Sequence, residues 1–358
     1  MSARAVEYVE VDGSRGEGGG QILRTAVAFS AILRRPVRVT KIRAGRPEPG
    51  LKRQHLSALQ VLSRVFEGEL SGALEGSSEI TFIPSEPRLS SLSIDMGTAA
   101  SITLVLQAVI PAVALNRTSL SLDLVGGTDV PWSPTYDYLD RVVRDAFGAF
   151  GLRFELSSGR RGYYPRGGGM ATAKVDPCDQ LRSADLALPR NVPGAKVVSR
   201  CGSLPKHVAE RQAASASKTL ESAGIPVLGQ EVQEERTDSP GSSVLVYYTG
   251  EGVYLGGDSL GERGKTAEKV GEEAASKFIS AAKSGAALDS NLADMLLPLL
   301  TLASGPSQAR VPEVTQHLRT GLELAEQFTS CAWSVTGGDR NSVVHVGPPG
   351  RSMKHQTA

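Results

Sequence analysis

The sequence has little of what several classes of protein require. Its 358 residues include only three cysteines, the widely spaced Cys178, Cys201 and Cys331. Three cysteines at this spacing exclude a disulfide framework and a zinc site built from paired cysteines. We therefore expect reduced thiols. With 39 Lys+Arg against 38 Asp+Glu, the chain also lacks the charge excess of a protein that coats polyanions.

Long apolar segments are missing as well. The longest, residues 102–115, is interrupted by Gln107 and Pro111 and is shorter than the ~20 residues that cross a bilayer. The first residues contain no apolar core of the length found in signal peptides. A composition of 40% hydrophobic and 22% charged residues is ordinary for a globular protein and excludes intrinsic disorder. We therefore expect a soluble cytoplasmic protein that does not contact a membrane.

One succession of elements recurs three times along the chain. Each time, a marked helix start leads into an apolar helix, a β-branched strand, a turn, a second amphipathic helix and a closing pair of strands. The three successions begin at Glu17, Asp95 and Ser290, where Ser290 or Asn291 is the expected helix cap. The first two starts are 78 positions apart and the last two 195, which an insertion of about a hundred residues into the third repeat would explain.

The stretch between the second and third repeats predicts a small α/β unit. Its strands, helices and hairpin are expected over residues 196–201, 206–223, 244–248, 252–255 and 265–283. The polar segment 231–243, with Pro240 and Gly241, predicts an exposed, mobile loop.

These patterns divide the chain into three parts. We expect residues 1–185 and 286–346 to form a three-repeat body and residues 186–285 an inserted α/β domain. Residues 347–358 are expected to form a flexible C-terminal tail.

A glycine-rich loop around Glu17 lies between the first predicted strand and the first predicted helix. Glycines let backbone N–H groups approach an anion, and the helix N-terminus adds a favourable partial charge. Glu17 could hold a divalent metal beside phosphate oxygens. No GK[ST] follows, so the loop is not a P-loop, and a purely structural turn is the alternative interpretation.

The densest basic cluster follows the second predicted strand. It contains Arg43, Arg46, Lys52, Arg53 and His55, with Arg24 on the preceding helix. Arginine forks pair bidentately with phosphate, which suits a nucleotide or an RNA end. A solvated charged surface is the alternative, but the interleaved glycine and prolines favour a built loop.

The five histidines are His55, His207, His317, His345 and His355, and no two are spaced i, i+4. A histidine-based metal site is therefore not expected. No G-x-S-x-G elbow of a serine hydrolase is present either. His317 lies early in a predicted helix, where a structural role is the simpler interpretation unless folding brings it beside Glu17 and the arginines. Asp294, at the start of another helix, could accept a hydrogen bond from a base or a histidine N–H.

Taken together, separated motifs of this chain resemble those of the RNA 3′-terminal phosphate cyclase family. The motifs are DGSRGEGGGQILR, IRAGRPEPGLKRQHL, Gly97–Thr98–Ala99 with VLQ at Gln107, VGGTD, GYYPRGGG, GSLPKHVAER, NLADM and TQHLRTG. The resemblance runs from about residue 9 to residue 346. It implies an α+β fold of three repeats, each a four-stranded sheet with two helices, like the C-terminal domain of a translation initiation factor. A small α/β domain is inserted in the third repeat.

The resemblance also implies an activity and a site. The activity is ATP-dependent conversion of an RNA 3′-phosphate to a 2′,3′-cyclic phosphate by a nucleotidyl-transferring, ligase-type enzyme, through His–AMP and RNA-3′-pp-5′-A intermediates. His317 is the implied nucleophile, and Glu17 the implied ligand of Mg²⁺ or Mn²⁺. ATP contacts are implied for Gln107, Pro134, Tyr138, Asn291, Leu292, Ala293, Asp294 and Met295. Phosphates of ATP or of the RNA end are implied to bind Arg24, Arg43, Arg46, Gln54 and His55.

Two positions depart from the family pattern. Members usually carry an aromatic residue or histidine where Asn291 stands, and asparagine where Gly321 follows Thr320. One alternative is a non-catalytic, cyclase-like factor that binds RNA or protein in ribosome assembly, although such relatives are expected to lack the nucleophilic histidine. Enolpyruvyl transfer on a related architecture is another, which ATP labelling would separate. The oligomeric state stays open, with a homodimer as one option.

Overall fold

The computed structural model describes residues 6–97, 99–338 and 341–349. Thr98 and the tail residues 350–358 therefore lie outside the described residues. In the described part, no helix has both the length and the apolar character needed to cross a membrane. All three cysteines are buried and free of disulfides.

The first two repeats each contain four strands and two helical regions. The first comprises β1 (Val9–Asp12), α1 (Gly20–Leu33), β2 (Val37–Thr40), α2 (Arg53–Val65), β3 (Glu69–Ser71) and β4 (Ile80–Ile83). The second comprises β5 (Ser91–Asp95), α3 (Ile102–Leu115), β6 (Leu120–Gly126), α4 (Tyr136–Tyr138), a π-helical turn (Leu139–Val143), α5 (Arg144–Ala149), β7 (Phe154–Arg160) and β8 (Gly169–Val175).

The third repeat is interrupted after its first strand. It comprises β9 (Asp185–Leu186), α8 (Ser290–Met295), α9 (Leu297–Leu302), β14 (Ser307–Val311), α10 (Gln316–Thr329), β15 (Trp333–Thr336) and β16 (Ser342–Val346). Between β9 and α8 lie β10 (Ala195–Gly202), α6 (His207–Ser222), β11 (Val227–Glu235), β12 (Gly241–Gly250), β13 (Val253–Leu260) and α7 (Ala267–Lys283).

The three repeats share one sheet topology. Their strand orders are β1-β2-β4-β3, β5-β6-β8-β7 and β9-β14-β16-β15, so each runs first, second, fourth, third. In each, the first two strands are parallel and the other pairings antiparallel. Because parallel strands need a crossover, a helix lies between the first and second strands of every repeat. The predicted α+β fold of three four-stranded repeats is confirmed.

Each repeat begins with a strand, not with the helix start that the sequence pattern suggested. Asp95, expected at a helix start, is the last residue of β5. The opening strands are short, and in the second repeat most of the strand is solvent-exposed, so they carry little hydrophobic signal. The helix α3, by contrast, is buried on nearly every side, as its almost wholly apolar sequence requires.

The inserted sheet has the order β11-β10-β12-β13 and packs against α6 and α7 around its own apolar cluster. The loop predicted over 231–243 is wrong for most of its length. Residues up to Glu235 belong to β11, which pairs in parallel with β10, and β12 already begins at Gly241. The strand β11 forms one edge of the sheet and is largely exposed, so its side chains are polar and its sequence looks like that of a loop.

Candidate active site

Folding brings His317 and Glu17 together from opposite ends of the chain. His317 is the second residue of α10, whose N-cap Thr315 accepts the backbone N–H of Leu318 at 3.0 Å. Glu17 lies in the loop before α1. The His317 Nε2 and Glu17 Oε2 atoms are 2.9 Å apart, and both side chains are about half exposed. Of the condition that the sequence set for a functional His317, the proximity to Glu17 is therefore met.

The glycine loop packs directly against the start of α10. Gly16 has a φ of +58°, and a Cβ atom there would stand 2.3 Å from Oγ1 of Thr320. Both the left-handed backbone and the close approach require glycine. The loop carrying Glu17 is thereby held within reach of His317.

A second carboxyl group faces His317 from α8. Oδ2 of Asp294 lies 3.8 Å from Nδ1 of His317, and its Oδ1 is buried without a hydrogen-bond partner. Burial raises the pKa of Asp294 to about 7, and the negative charges of Asp289 and Glu17 act in the same direction. The imidazole thus lies between an exposed carboxylate on one nitrogen and a carboxyl group that titrates near neutrality on the other.

Asp289 is the N-cap that fixes the start of α8, whereas the sequence predicted Ser290 or Asn291 as the cap. Asp289 caps the helix by accepting the backbone N–H groups of Asn291 and Leu292, each at 3.0 Å. It also accepts the Tyr138 hydroxyl at 2.8 Å and the Gly256 N–H of β13 at 2.9 Å. Aspartate is itself a favoured N-cap, a signal available from the sequence. Its contacts with the second repeat and the insert could come only from folding.

Arginines extend the site away from His317. Nη2 of Arg46 lies 3.8 Å from Oε2 of Glu17. Burial lowers the pKa of Arg24 to about 10, and in the described part of the chain no carboxylate lies within ion-pair distance of this guanidinium. A buried guanidinium without a carboxylate is a site suited to an anion.

His55 lies beside Arg24 as an uncharged hydrogen-bond donor. Burial lowers the pKa of His55 to about 4, and the positive charges of Arg24, Arg43 and Lys52 lower it further in the same sense. Its Nδ1 accepts the Lys52 backbone N–H at 3.1 Å, so the neutral ring carries its proton on Nε2. Gly20 leaves room for this nitrogen, because a Cβ there would stand 2.2 Å from it.

The other two residues implied to bind phosphate, Arg43 and Gln54, differ in their hydrogen bonding and exposure. Arg43 has a φ of +56°, donates from Nη2 to the Glu48 carbonyl at 3.2 Å, and has a buried Nε without a partner. Gln54 is exposed in the first turn of α2.

Comparison with known proteins shows the family to which the chain belongs. The family model described as "RNA 3′-terminal phosphate cyclase" matches residues 15–335. The chain belongs to this family. It is 42% identical to the RNA 3′-terminal phosphate cyclase of Pyrococcus furiosus over 92% of this chain and 95% of the relative. For the proteins of the same name from Thermococcus kodakarensis and Methanosarcina barkeri, the identities are 42% and 44%, over 96% and 89% of this chain and 97% and 94% of the relatives.

The ATP contacts implied by cyclase resemblance fall into buried and accessible groups. The side chains of Leu292, Ala293 and Met295 are buried in the hydrophobic core, where they hold α8 in place and leave only backbone atoms for a ligand. Tyr138 is fully buried, and its hydroxyl is engaged by Asp289. Its role in this structure is to secure α8, and it has no exposed ring face on which a base could stack.

Three implied ATP contacts remain accessible. Asn291 is exposed in the first turn of α8, Pro134 is half-buried before α4, and Gln107 is half-buried in the middle of α3. Within the described residues, no hydrogen bond or ion pair joins Gln107 to His317 or Glu17. Contacts of these residues with ATP stay predictions.

The departure from the cyclase pattern at Gly321 has a local cause. A Cβ at this position would stand 2.2 Å from Cδ1 of Leu297, the first residue of α9. The helices α10 and α9 pack closely here, so a larger residue would have to displace Leu297. His317, one turn earlier, keeps its contacts with Glu17 and Asp294.

Proposed function

We propose that this protein is an ATP-dependent RNA 3′-terminal phosphate cyclase that uses His317 as its nucleophile. The observation that carries the proposal is the 2.9 Å contact of His317 with Glu17 inside a cleft that also holds Arg46. Family membership supports the same reaction. Relatives more than 40% identical over nearly their whole length carry this name.

The chemistry explains why a nucleophilic histidine is needed. In an RNA 3′-phosphate the neighbouring 2′-OH is already in position, so proximity is not the obstacle. Ring closure is blocked because oxide is too poor a leaving group. Transfer of AMP to the phosphate replaces oxide with AMP, and an adenylylated imidazole is a reactive AMP donor.

Three displacements complete the reaction. The lone pair of His317 Nε2 attacks the α-phosphorus of ATP, and the bond to the bridging oxygen breaks to release pyrophosphate. An oxygen of the RNA 3′-phosphate then attacks the same phosphorus, which breaks the P–N bond and frees His317. Finally the 2′-oxygen attacks the 3′-phosphorus, loses its proton and expels AMP.

Both carboxyl groups at His317 have a part in the first step. Nε2 is engaged by Glu17 in the resting site, so this contact opens when ATP binds. Ionised Asp294 then accepts a hydrogen bond from the Nδ1–H group and stabilises the positive charge that develops on the ring. The distance of 3.8 Å between Asp294 Oδ2 and His317 Nδ1 is compatible with this role, because catalytic hydrogen bonds shorten when the substrate binds.

The phosphates of ATP or RNA are held by the basic residues. Arg24 supplies a buried charge without a carboxylate, and neutral His55 a proton on Nε2. Arg46 reaches the same cleft from the loop before α2. Arg43 and Gln54 extend this surface outward.

A divalent metal fits this site only together with substrate. Among the described residues, no three histidine, cysteine or acidic side chains converge as a metal-binding group. Glu17 offers a single accessible carboxylate, and Mg²⁺ commonly takes one carboxylate plus phosphate oxygens. Glu17 would hold Mg²⁺ or Mn²⁺ against the phosphates, where the ion neutralises developing charge.

Covalent labelling tests the nucleophile. Incubation with α-³²P-ATP and metal should label the wild type through an acid-labile, alkali-stable phosphoramidate, and His317→Ala should abolish the label. His345→Ala is the matched control, because this histidine lies on β16 and bonds Thr336 at 2.8 Å. Undiminished labelling of His317→Ala would remove the proposed nucleophile. An unlabelled wild type that still binds RNA would favour the non-catalytic ribosome-assembly role.

A further inference from the structure

Trp132 is the most exposed large hydrophobic residue of the described chain, with 89% of its surface accessible. It lies in the segment 127–135 between β6 and α4, and its φ is +63°. A bulky residue rarely adopts this left-handed conformation. The fold therefore accepts backbone strain here to present an indole to solvent, and such outliers point to function.

The surroundings hold this segment rigidly. Oγ1 of Thr103 donates to the Pro134 carbonyl at 2.9 Å, and the Thr135 N–H donates to Oδ2 of buried Asp258 at 2.8 Å. These bonds tie the segment to α3 and to the inserted sheet. The backbone that follows Trp132 is thus anchored, which reduces the conformational entropy lost when a ligand packs on the indole.

The segment lies in the same structural position as two parts of the candidate active site. In every repeat it joins the second strand to the second helical region. In the first repeat this connection carries Arg43 and Arg46, and in the third it leads to His317. In the second repeat it carries Trp132.

A chain of contacts connects the Trp132 segment to His317. The segment runs into α4, whose Tyr138 donates a hydrogen bond to Asp289 at the start of α8. The helix α8 in turn carries Asp294, which faces His317. The Trp132 segment is therefore connected to the candidate active site through α4 and α8.

The chemistry of an exposed indole, in a connection equivalent to those that lead to the arginines and to His317, indicates its ligand. We propose that Trp132 stacks on a nucleobase, either the adenine of ATP or a base of the RNA near its 3′ end. Indole faces stack well on bases of any sequence. Exposed Asn291, at the neighbouring start of α8, offers no aromatic face. This inference rests on the proposed function for the identity of its ligands.

Fluorescence tests the proposal without requiring turnover. The chain has two tryptophans, and Trp333→Phe leaves Trp132 as the only indole. This variant is titrated with a non-hydrolysable ATP analogue and, separately, with a 3′-phosphorylated oligoribonucleotide. We expect saturable quenching by one of them. Quenching by the analogue assigns the adenine, quenching by the oligonucleotide assigns an RNA base, and no quenching by either overturns the proposal.

Kinetics of two Trp132 variants separate stacking from a general structural role. Trp132→Leu should raise the KM for the quenching ligand about 5- to 150-fold, as expected for a lost base–aromatic stack, with kcat nearly unchanged. Trp132→Phe should restore most of the affinity. Leu74→Ala, which trims another side chain that is 72% exposed, is the control. Equal KM values for Trp132→Leu and Trp132→Phe would overturn stacking. Loss of His317 labelling in wild type would instead contradict the proposed function, whereas the fluorescence result would stand.

Discussion

Replacement of Asp294 by asparagine should change the pH dependence of His317 adenylylation in a way that identifies the role of this carboxyl group. The pKa of Asp294 is raised to about 7 from 3.8, chiefly by burial. With such a pKa, about one carboxyl in ten is ionised at pH 6 and about nine in ten at pH 8. If only the ionised form supports attack by His317, the wild-type rate rises about ninefold from pH 6 to pH 8 from Asp294 alone.

A logarithmic plot of the labelling rate against pH should therefore be steeper on its acid side for wild type than for Asp294→Asn, in which this titrating carboxyl group is gone. At pH 8 the variant should be about 10- to 150-fold slower, because a charge-assisted hydrogen bond contributes about 1.5–3 kcal/mol.

The assay is rapid-quench measurement of protein-bound label from α-³²P-ATP between pH 5.5 and 8.5. Asparagine has nearly the same shape as aspartate, so the fold is expected to persist. An identical acid limb in wild type and Asp294→Asn would refute this reasoning, as would equal rates at pH 8.

Stability supplies an independent check of the same pKa. A carboxyl whose pKa is raised on folding contributes stability below its unfolded pKa, and this contribution is lost as pH rises toward 7. Because asparagine does not ionise, Asp294→Asn removes this pH-dependent loss of stability. The thermal unfolding midpoint of the variant should therefore rise relative to wild type between pH 4 and pH 8, whatever happens to activity.

Two further predictions concern the basic cluster. We expect Arg43→Ala to weaken the use of 3′-phosphorylated RNA more than it weakens labelling by ATP. Because the Arg46 guanidinium lies 3.8 Å from Glu17, Arg46→Ala should slow labelling as well. Equal defects of Arg43→Ala in both assays would reassign this residue to ATP. We expect Gly20→Ala to displace His55, because the new Cβ would stand 2.2 Å from Nε2, and to raise the KM for the phosphate-bearing substrate; an unchanged KM would show that His55 does not contact it.

The inserted domain has a structural connection to the site that the sequence gave no reason to expect. Its strand β13 provides the Gly256 N–H to Asp289 and the Asp258 carboxylate to the Thr135 N–H. The first bond secures the start of α8, and the second the connection that carries Trp132. The insert therefore anchors both the start of α8 and the connection that carries Trp132.

Sequence by itself determined the number of repeats and predicted which residues form the candidate site. Repetition of one helix-and-strand pattern is a local property, and so is the clustering of arginines after β2 or of glycines around Glu17. Periodicity and turn chemistry record such features directly. The edge strand β11 was mistaken for a loop because its exposed residues lack the apolar alternation that marks a half-buried strand.

Tertiary structure alone decided how these residues act together. His317 and Glu17 are 300 positions apart in the sequence, and their contact depends on the packing of α10 against α1. The raised pKa of Asp294 depends on burial and on the charge of Glu17 from the first repeat, and the lowered pKa of His55 depends on burial and on charges that its own repeat brings together. The exposure of Trp132 depends on how its neighbours fold around it. Burial and distance are set by contacts between segments remote in sequence, so no local pattern could encode them.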